Sequence, residues 1–203
     1  MTPAKRLFDI TLGTLLAVLL ALPFCAIAVW LLLAEGRPLF YVSERMSGPK
    51  RAFRLWKFRT MTLDPQDSGV SGGDKRQRIT RAGRFLRRTR LDEMPQLWNV
   101  LRGDMSFVGP RPPLRRYVEQ FPELYAQVLR SRPGLTGLAT LVFRRREERL
   151  LSACRTAQET EAVYVRRCVP RKARLDLFYQ NRRNMCLDVA IIIKTLGQVV
   201  LRR

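Results

Sequence analysis

The chain has 203 residues, with 38 Lys or Arg against 17 Asp or Glu, a formal charge of +21 at neutral pH, and no histidine. That length suits one domain with a real core, and the missing histidine excludes His-based triads, His general bases and His metal ligands. The charge points to nucleic acid, anionic lipid or phosphorylated ligands, or to nothing more than a solvated Arg-rich surface.

Residues 10–34 form a run of 25 without a charge. About 20 apolar residues span a bilayer as a helix, and a secretory core is shorter, about 7–15 residues. The run therefore reads as a retained membrane element. Pro23 lies near its centre, removes one backbone N–H and clashes with the carbonyl of Leu19, so a kink is expected. Lys5 and Arg6 precede the run, and Arg37, Arg45, Lys50 and Arg51 follow it. Positive charge on both flanks favours the cytoplasm for both ends, as in a hairpin that dips into the bilayer and returns. A kinked spanning helix is the ordinary alternative, and the residues alone leave both open.

Residues 39–44 and 53–61 read as short strands joined by a turn at Ser47-Gly48-Pro49-Lys50. Lys57 and Arg59 share one face at period two, either to grip an anion or to blunt an edge strand. Residues 64–74 are rich in Gly, Ser and Asp and read as a loop. Thr80 can cap a short helix carrying Phe85 and Leu86. Asp92 can cap the next, with Pro95 in its first turn, apolar Met94, Leu97, Trp98 and Leu101 on one side, and Gly103 at its end. Residues 116–130 read as one amphipathic helix, and Arg132-Pro-Gly-Leu-Thr-Gly-Leu as a break. Residues 147–167 read as a helix ended by Pro170, and 173–183 and 187–201 as a last helical pair. The second of that pair is apolar enough for the core or a membrane surface.

The four cysteines, Cys25, Cys154, Cys168 and Cys186, form no C-x-x-C motif. Zinc and dithiol motifs are thus absent, and reduced thiols fit a cytosolic face.

The stretch 80–112 concentrates the chemistry. It holds five arginines (Arg81, Arg84, Arg87, Arg88, Arg90), an adjacent acid pair (Asp92, Glu93) and the turn Gly109-Pro110-Arg111-Pro112. Arginine offers phosphate a planar fork of donors. Carboxylates suit Mg²⁺ and nucleophilic or proton-transfer work, and two acids amid so much positive charge are expected to ionise easily. Helix capping would account for Asp92 but for neither Glu93 nor the surrounding arginines. The combination suggests chemistry on a phosphate ester.

The sequence resembles the bacterial sugar transferases, monotopic phosphoglycosyl transferases that act on a polyprenyl-phosphate carrier. The likeness covers nearly the whole chain. It runs through K-R-L-F-D at residues 5–9, the Pro-broken apolar run, K-F-R-T-M at 57–61, L-D-E-M-P-Q-L at 91–97, N-V-L-R-G-D-M-S-F-V-G-P-R-P at 99–112 and R-P-G-L-T-G-L-A at 132–139. One departure is Leu22, where some members carry a serine before the proline.

The resemblance implies transfer of a phosphosugar from a UDP-sugar to polyprenyl (undecaprenyl) phosphate, with UMP released and Mg²⁺ required. It implies Asp92 as nucleophile and Glu93 as its partner, both toward the metal. Lys57, Arg59, Arg87 and Arg111 are the expected substrate-binding residues. The fold class it implies is α+β and predominantly helical. Residues 1–36 would form a re-entrant membrane hairpin and 37–203, with a small β-hairpin, a catalytic domain on the cytoplasmic face of the bacterial inner membrane. Membrane lipids are then partners and nucleic acid is not, with a homo-oligomer left open. Two alternatives stand beside it: a membrane-anchored basic protein that binds nucleic acid or anionic lipid, and an inactive scaffold subunit. Neither has a use for an intact acid pair at the centre of a basic patch.

Overall fold

The computed structural model describes residues 1–64, 70 and 72–200 and is mostly helical, with two small sheets. Most of the loop read at 64–74, and the final residue of the last expected helix, lie outside the described residues. Two helices open the chain, α1 (Pro3–Leu19) and α2 (Ala21–Glu35), bent by 58° at Leu20. The bend falls three residues before Pro23, which sits in the first turn of α2. A proline is tolerated there, and its missing N–H leaves the Leu19 carbonyl without its helical donor. Among the described residues no single helix is long and apolar enough to cross a membrane, whereas the bent pair together is.

Both ends of this pair are fastened to the rest of the protein. Arg6 donates to the carbonyls of Val100 (2.7 Å) and Leu101 (2.6 Å). The fully buried Asp9 accepts from Ser106 Oγ (3.1 Å) and Phe107 N (3.2 Å). Lys5 and Tyr179 both reach Asp188 near the other terminus. At the far end, Leu31 of α2 is buried with Phe58, Leu86 and Met94.

The strands β1 (Phe40–Gly48) and β2 (Arg51–Phe58) form the expected antiparallel hairpin. α3 (Arg81–Thr89) starts as expected, with Thr80 Oγ1 accepting from Gly83 N at 2.9 Å. α4 (Gln96–Arg102) ends at Gly103, whose φ of 86° is left-handed. Met94, Leu97, Trp98 and Leu101 do share a side, but it lines an apolar hollow of about 460 Å³ at the α1–α2 break. The side of α4 turned to the core carries Gln96, Asn99 and Val100.

The single helix expected at 116–130 is two, α5 (Arg115–Gln120) and α6 (Pro122–Val128). Pro122 cannot donate and would collide with the Val118 carbonyl, so it starts a new helix. Pro170 likewise opens a helix instead of closing one. α7 (Leu138–Ser152) and α8 (Ala157–Val163) are followed by a π-helical turn at Tyr164–Cys168, which leads directly into α9 (Val169–Arg182) with Pro170 in its first turn. α10 (Met185–Val200) completes the fold. Cys154 and Cys168 are buried, Cys25 and Cys186 exposed, and all four are free.

One sheet was not anticipated. β3 (Ser106–Val108) pairs in parallel with β4 (Gly134–Thr136). It joins the Gly-Pro-Arg-Pro turn to the Arg-Pro-Gly-Leu-Thr-Gly segment, with Gly109 N donating to Thr136 O (2.9 Å) and Gly134 N to Pro110 O (2.8 Å). A Cβ on Gly137 would lie 2.0 Å from the Gly109 carbonyl oxygen, and one on Gly109 2.2 Å from that of Arg132. Glycine is required at this crossing because the two backbones touch. The consequence is a rigid seat for Arg111.

Candidate active site

The acid pair does not cap α4. α3 is ended by Arg90, whose φ of 59° makes it the single non-glycine residue with left-handed backbone among those described. A short 3-10 turn, Leu91–Glu93, follows directly, and α4 begins only after Pro95, with no side-chain cap. The left-handed geometry costs about 1–2 kcal/mol for a residue with a Cβ, and glycine is the usual solution. Here arginine holds the position, and its guanidinium returns to Glu93, Nη2 donating to Oε2 at 2.7 Å.

Two more cations converge on the same carboxylate. Lys57 Nζ on β2 donates to Glu93 Oε1 at 3.1 Å, and Arg111 Nη2 donates to the same oxygen at 3.1 Å. Lys57 is held in register because Asn99 of α4 bridges β2, donating to Arg54 O (2.8 Å) and accepting from Trp56 N (3.2 Å). Burial pushes Glu93 up, but Lys57, Arg111 and Arg90 outweigh it and hold the carboxyl well below its ordinary value.

Asp92 is the contrast. It is 8% exposed, and among the described residues its carboxylate makes no hydrogen bond or ion pair. Burial raises its pKa, helped by the charge on Glu93, against the pull of Lys57, Arg87 and Arg90. The expectation that both acids ionise easily therefore holds for Glu93 and fails for Asp92, because desolvation there exceeds attraction. The outcome is a saturated carboxylate beside an open, more basic one.

Both acids line a cavity of about 650 Å³. All four expected substrate-binding residues line it too, but they are not equivalent. Lys57 and Arg111 meet at Glu93. Arg87 Nε donates to Thr60 Oγ1 at 2.8 Å, which aligns it beside Asp92. Arg59 lies past the end of β2, so the strand alternation no longer places it with Lys57. Its Nη2 donates to the carbonyls of Glu35 (2.7 Å) and Gly36 (3.0 Å) at the end of α2. That tie fastens the second end of the apolar pair.

Sequence reasoning did not single out Arg90 as a Glu93 ligand, though its i to i+3 spacing was a usable signal. It also passed over Thr60, Arg45 and the cavity wall supplied by α7 and α9. Their proximity to the dyad is tertiary and leaves no local pattern.

A divalent cation has a partial seat here. Among the described residues no group of three or more acidic or cysteine ligands could enclose a metal. Mg²⁺ commonly takes only one or two carboxylates and completes its shell with water and substrate phosphate. Asp92 has its oxygens open for that use, while both oxygens of Glu93 already accept from cations.

Residues 1–202 match the family described as bacterial sugar transferase. An Aeromonas hydrophila protein named UDP-N-acetylgalactosamine-undecaprenyl-phosphate N-acetylgalactosaminephosphotransferase is 31% identical over 202 residues, which is 97% of this chain and 43% of the relative. The Escherichia coli K12 UDP-glucose:undecaprenyl-phosphate glucose-1-phosphate transferase is 36% identical over 166 residues, 80% of this chain and 36% of the relative. A Bacillus subtilis protein named uncharacterized sugar transferase EpsL is 33% identical over 196 residues, covering 97% of this chain and 87% of the relative. The chain thus spans about two fifths of the length of the first two and most of the third.

Proposed function

The chain belongs to the bacterial sugar transferase family, and from that premise we propose that it moves a phosphosugar from a UDP-sugar to undecaprenyl phosphate, the first membrane step of polysaccharide assembly. The observation that carries this reading is the unpartnered Asp92 carboxylate in an Arg-lined cavity, beside a Glu93 that three cations hold charged. The relatives' names supply the substrate classes.

The chemistry follows from the charges. An Asp92 oxygen attacks the phosphorus that bears the sugar. A P–O bond to Asp92 forms, the bond to UMP breaks, and UMP leaves with the electron pair. The acceptor's phosphate oxygen then attacks the same phosphorus and displaces the Asp92 carboxylate. A covalent route divides one difficult transfer in two and lets a soluble donor and a lipid acceptor use one site in turn. Lys57, Arg87 and Arg111 neutralise non-bridging oxygens in a partly desolvated site. Glu93 reacts with nothing in this scheme; it gathers and orients the cations. Asp92 would hold Mg²⁺, which would supply further charge neutralisation when bound.

The membrane placement is part of the proposal. Residues 1–36 form a re-entrant hairpin, and 37–203 sit on the cytoplasmic face. Support comes from Arg6 and Asp9 at one end and Glu35 and Gly36 at the other, all bonded to the same body. The apolar hollow at the helix break includes Met94, two residues from Asp92, and offers a place for the acceptor's isoprenoid chain.

The test is intact-protein mass spectrometry after incubation with a UDP-sugar panel and Mg²⁺, with acceptor withheld. The expected result is a phosphosugar mass gain with equal UMP release, lost in Asp92→Asn. UMP release that waits for undecaprenyl phosphate, with no mass gain, would replace the covalent route with direct transfer. Absence of turnover across the panel, acceptor included, would remove the function itself.

A further inference from the structure

The cavity that holds the dyad also has a wall of charged residues beyond Arg111. α7 contributes Arg144 and Glu147 to its lining, and α9 contributes Lys172 and Asp176. Three of these charges are engaged. Lys172 Nζ donates to Glu147 Oε1 at 2.8 Å and lies 3.4 Å from Tyr164 Oη, and Arg144 pairs with Glu148 at 3.1 Å. Asp176 is not. It is 7% exposed and lines the cavity, and among the described residues its carboxylate makes no hydrogen bond or ion pair.

The Asp176 oxygens open into the cavity and are not sealed off, but enclosing a carboxylate without a protein partner is still unfavourable. Burial pushes the Asp176 carboxyl up to about 7, with Lys172 pulling it down and Glu147 pushing it further up. Nothing in α9 requires an acid there, since leucine or asparagine would serve the helix as well. Such a cost persists where a ligand removes it.

The neighbours narrow the ligand. An anion belongs at the arginine end and would be repelled by Asp176 and Glu147. A cation would meet Lys172 and Arg111. A neutral ring bearing adjacent hydroxyls fits, because each hydroxyl can donate to the carboxylate while accepting from Lys172 or Tyr164. Glu147 and Lys172 both interact electrostatically with Arg111, so this end adjoins the place where a diphosphate would lie.

We propose that Asp176 is the hydroxyl-recognition residue of the donor, taking hydrogen bonds from adjacent hydroxyls of either the transferred hexose or the ribose. This rests on the UDP-sugar reading above and adds to it a residue that fixes which ring is accepted.

The experiment uses the full chain in nanodiscs, with Asp176→Asn and Asp176→Leu beside the wild type. KM and kcat for the UDP-sugar, the inhibition constant of UMP and the melting temperature are read on each. Loss of hydrogen bonds to a charged acceptor is expected to raise KM about tenfold to a hundredfold, mainly in KM and not in kcat. An unchanged UMP constant assigns the hexose, and a parallel rise in it assigns the ribose. The melting temperature should hold or rise near pH 7.5, because an uncompensated charge has been removed. A falling melting temperature in both variants, or an unchanged KM in either folded variant, overturns the assignment and makes Asp176 structural or idle. A wild type that turns over no UDP-sugar defeats the underlying function and this inference with it. A wild type with normal turnover and unshifted variants defeats the inference alone.

Discussion

Asp92 and Glu93 are adjacent and chemically alike, yet amide substitution should affect them in opposite ways. Glu93 accepts from Lys57, Arg90 and Arg111, all within 3.1 Å. Glu93→Gln keeps the shape but leaves three partly buried cations facing one another without an anion. Breaking a buried ion pair by removing one partner costs about 3–5 kcal/mol. For a chain of this size, about 2–4 °C is lost per kcal/mol, so a fall of roughly 6–20 °C is expected. Asp92 has no such partners, and Asp92→Asn removes a buried, unpaired charge. Its melting temperature should stay within about 2 °C of wild type, or rise, while covalent labelling disappears. The assay is thermal unfolding in nanodiscs, followed in parallel with UMP release. A Glu93→Gln protein as stable as wild type would refute the cradle. An Asp92→Asn protein that melts well below wild type would show that Asp92 is structural.

Other consequences follow from the same contacts. Arg111 spends one Nη on Glu93 and presents the rest of its fork to the cavity, so Arg111→Lys should lose kcat/KM nearly as severely as Arg111→Ala, about tenfold or more; near-normal Arg111→Lys kinetics would reduce the residue to a point charge. Asp176, at about 7 when folded against 3.8 as its ordinary value, binds its proton more tightly in the folded state. Its contribution to stability is thus present at low pH and lost as pH rises through that window, by up to about 4 kcal/mol. Urea unfolding from pH 4 to 8 should show Asp176→Asn with a flatter decline than wild type, and matching slopes would contradict the burial of that charge. Asp9→Ala strands Ser106 Oγ and Phe107 N without their acceptor and should cost about 1–3 kcal/mol per stranded group, read as a lower melting temperature. In a cysteine-free background, cysteines placed at Ala4 and Ser47 should both resist an impermeant reagent until the inner membrane is opened, and external labelling at Ala4 alone would make the apolar pair a spanning helix.

What was legible in the residues was local. The Thr80 cap, the Gly103 stop and the Pro49-Lys50 hairpin turn each depend on a few neighbouring residues, and each is present. The acid pair and Arg111 stood out because carboxylates and a Pro-flanked arginine are rare inside a cationic run, while the roles expected of them came from the resemblance. Asp92 does not cap α4, because the acids occupy a 3-10 turn of their own and the helix starts only at Gln96; Pro95 alone, tolerated in a first turn, did not announce that. The prolines show the limit well. Pro122 and Pro170 both sit at helix starts, yet Pro122 splits an amphipathic pattern while Pro170 follows a π turn within a continuous helical path, a difference that the local sequence does not announce. β3 and β4 are three residues each, with 25 residues between them, too short and too distant for any periodicity to reveal. The partners of Glu93 come from positions 57, 90 and 111, a convergence that exists only after folding.

The pairing of a saturated carboxylate with an open one has a physical logic. Buried ion clusters stabilise folds poorly, because desolvation consumes most of the attraction. Around Glu93 the cluster does something else. Lys57, Arg90 and Arg111 already outnumber the two acids, and Arg45 and Arg87 line the same cavity. With Glu93 alone the cations would neutralise one charge and repel one another over the remainder. In the proposed reaction a diphosphate entering beside Arg111 would relieve that excess, so donor binding and site assembly would reinforce each other. Without Glu93 the three cations would lose their shared anion, and their uncompensated charge would lower the basicity of the neighbouring Asp92, the nucleophile of the proposed scheme. In that scheme Glu93 gathers the cations and leaves the Asp92 oxygens open. The left-handed backbone at Arg90 is part of that arrangement: it ends α3 and opens the dyad turn at the residue whose guanidinium turns back to Glu93.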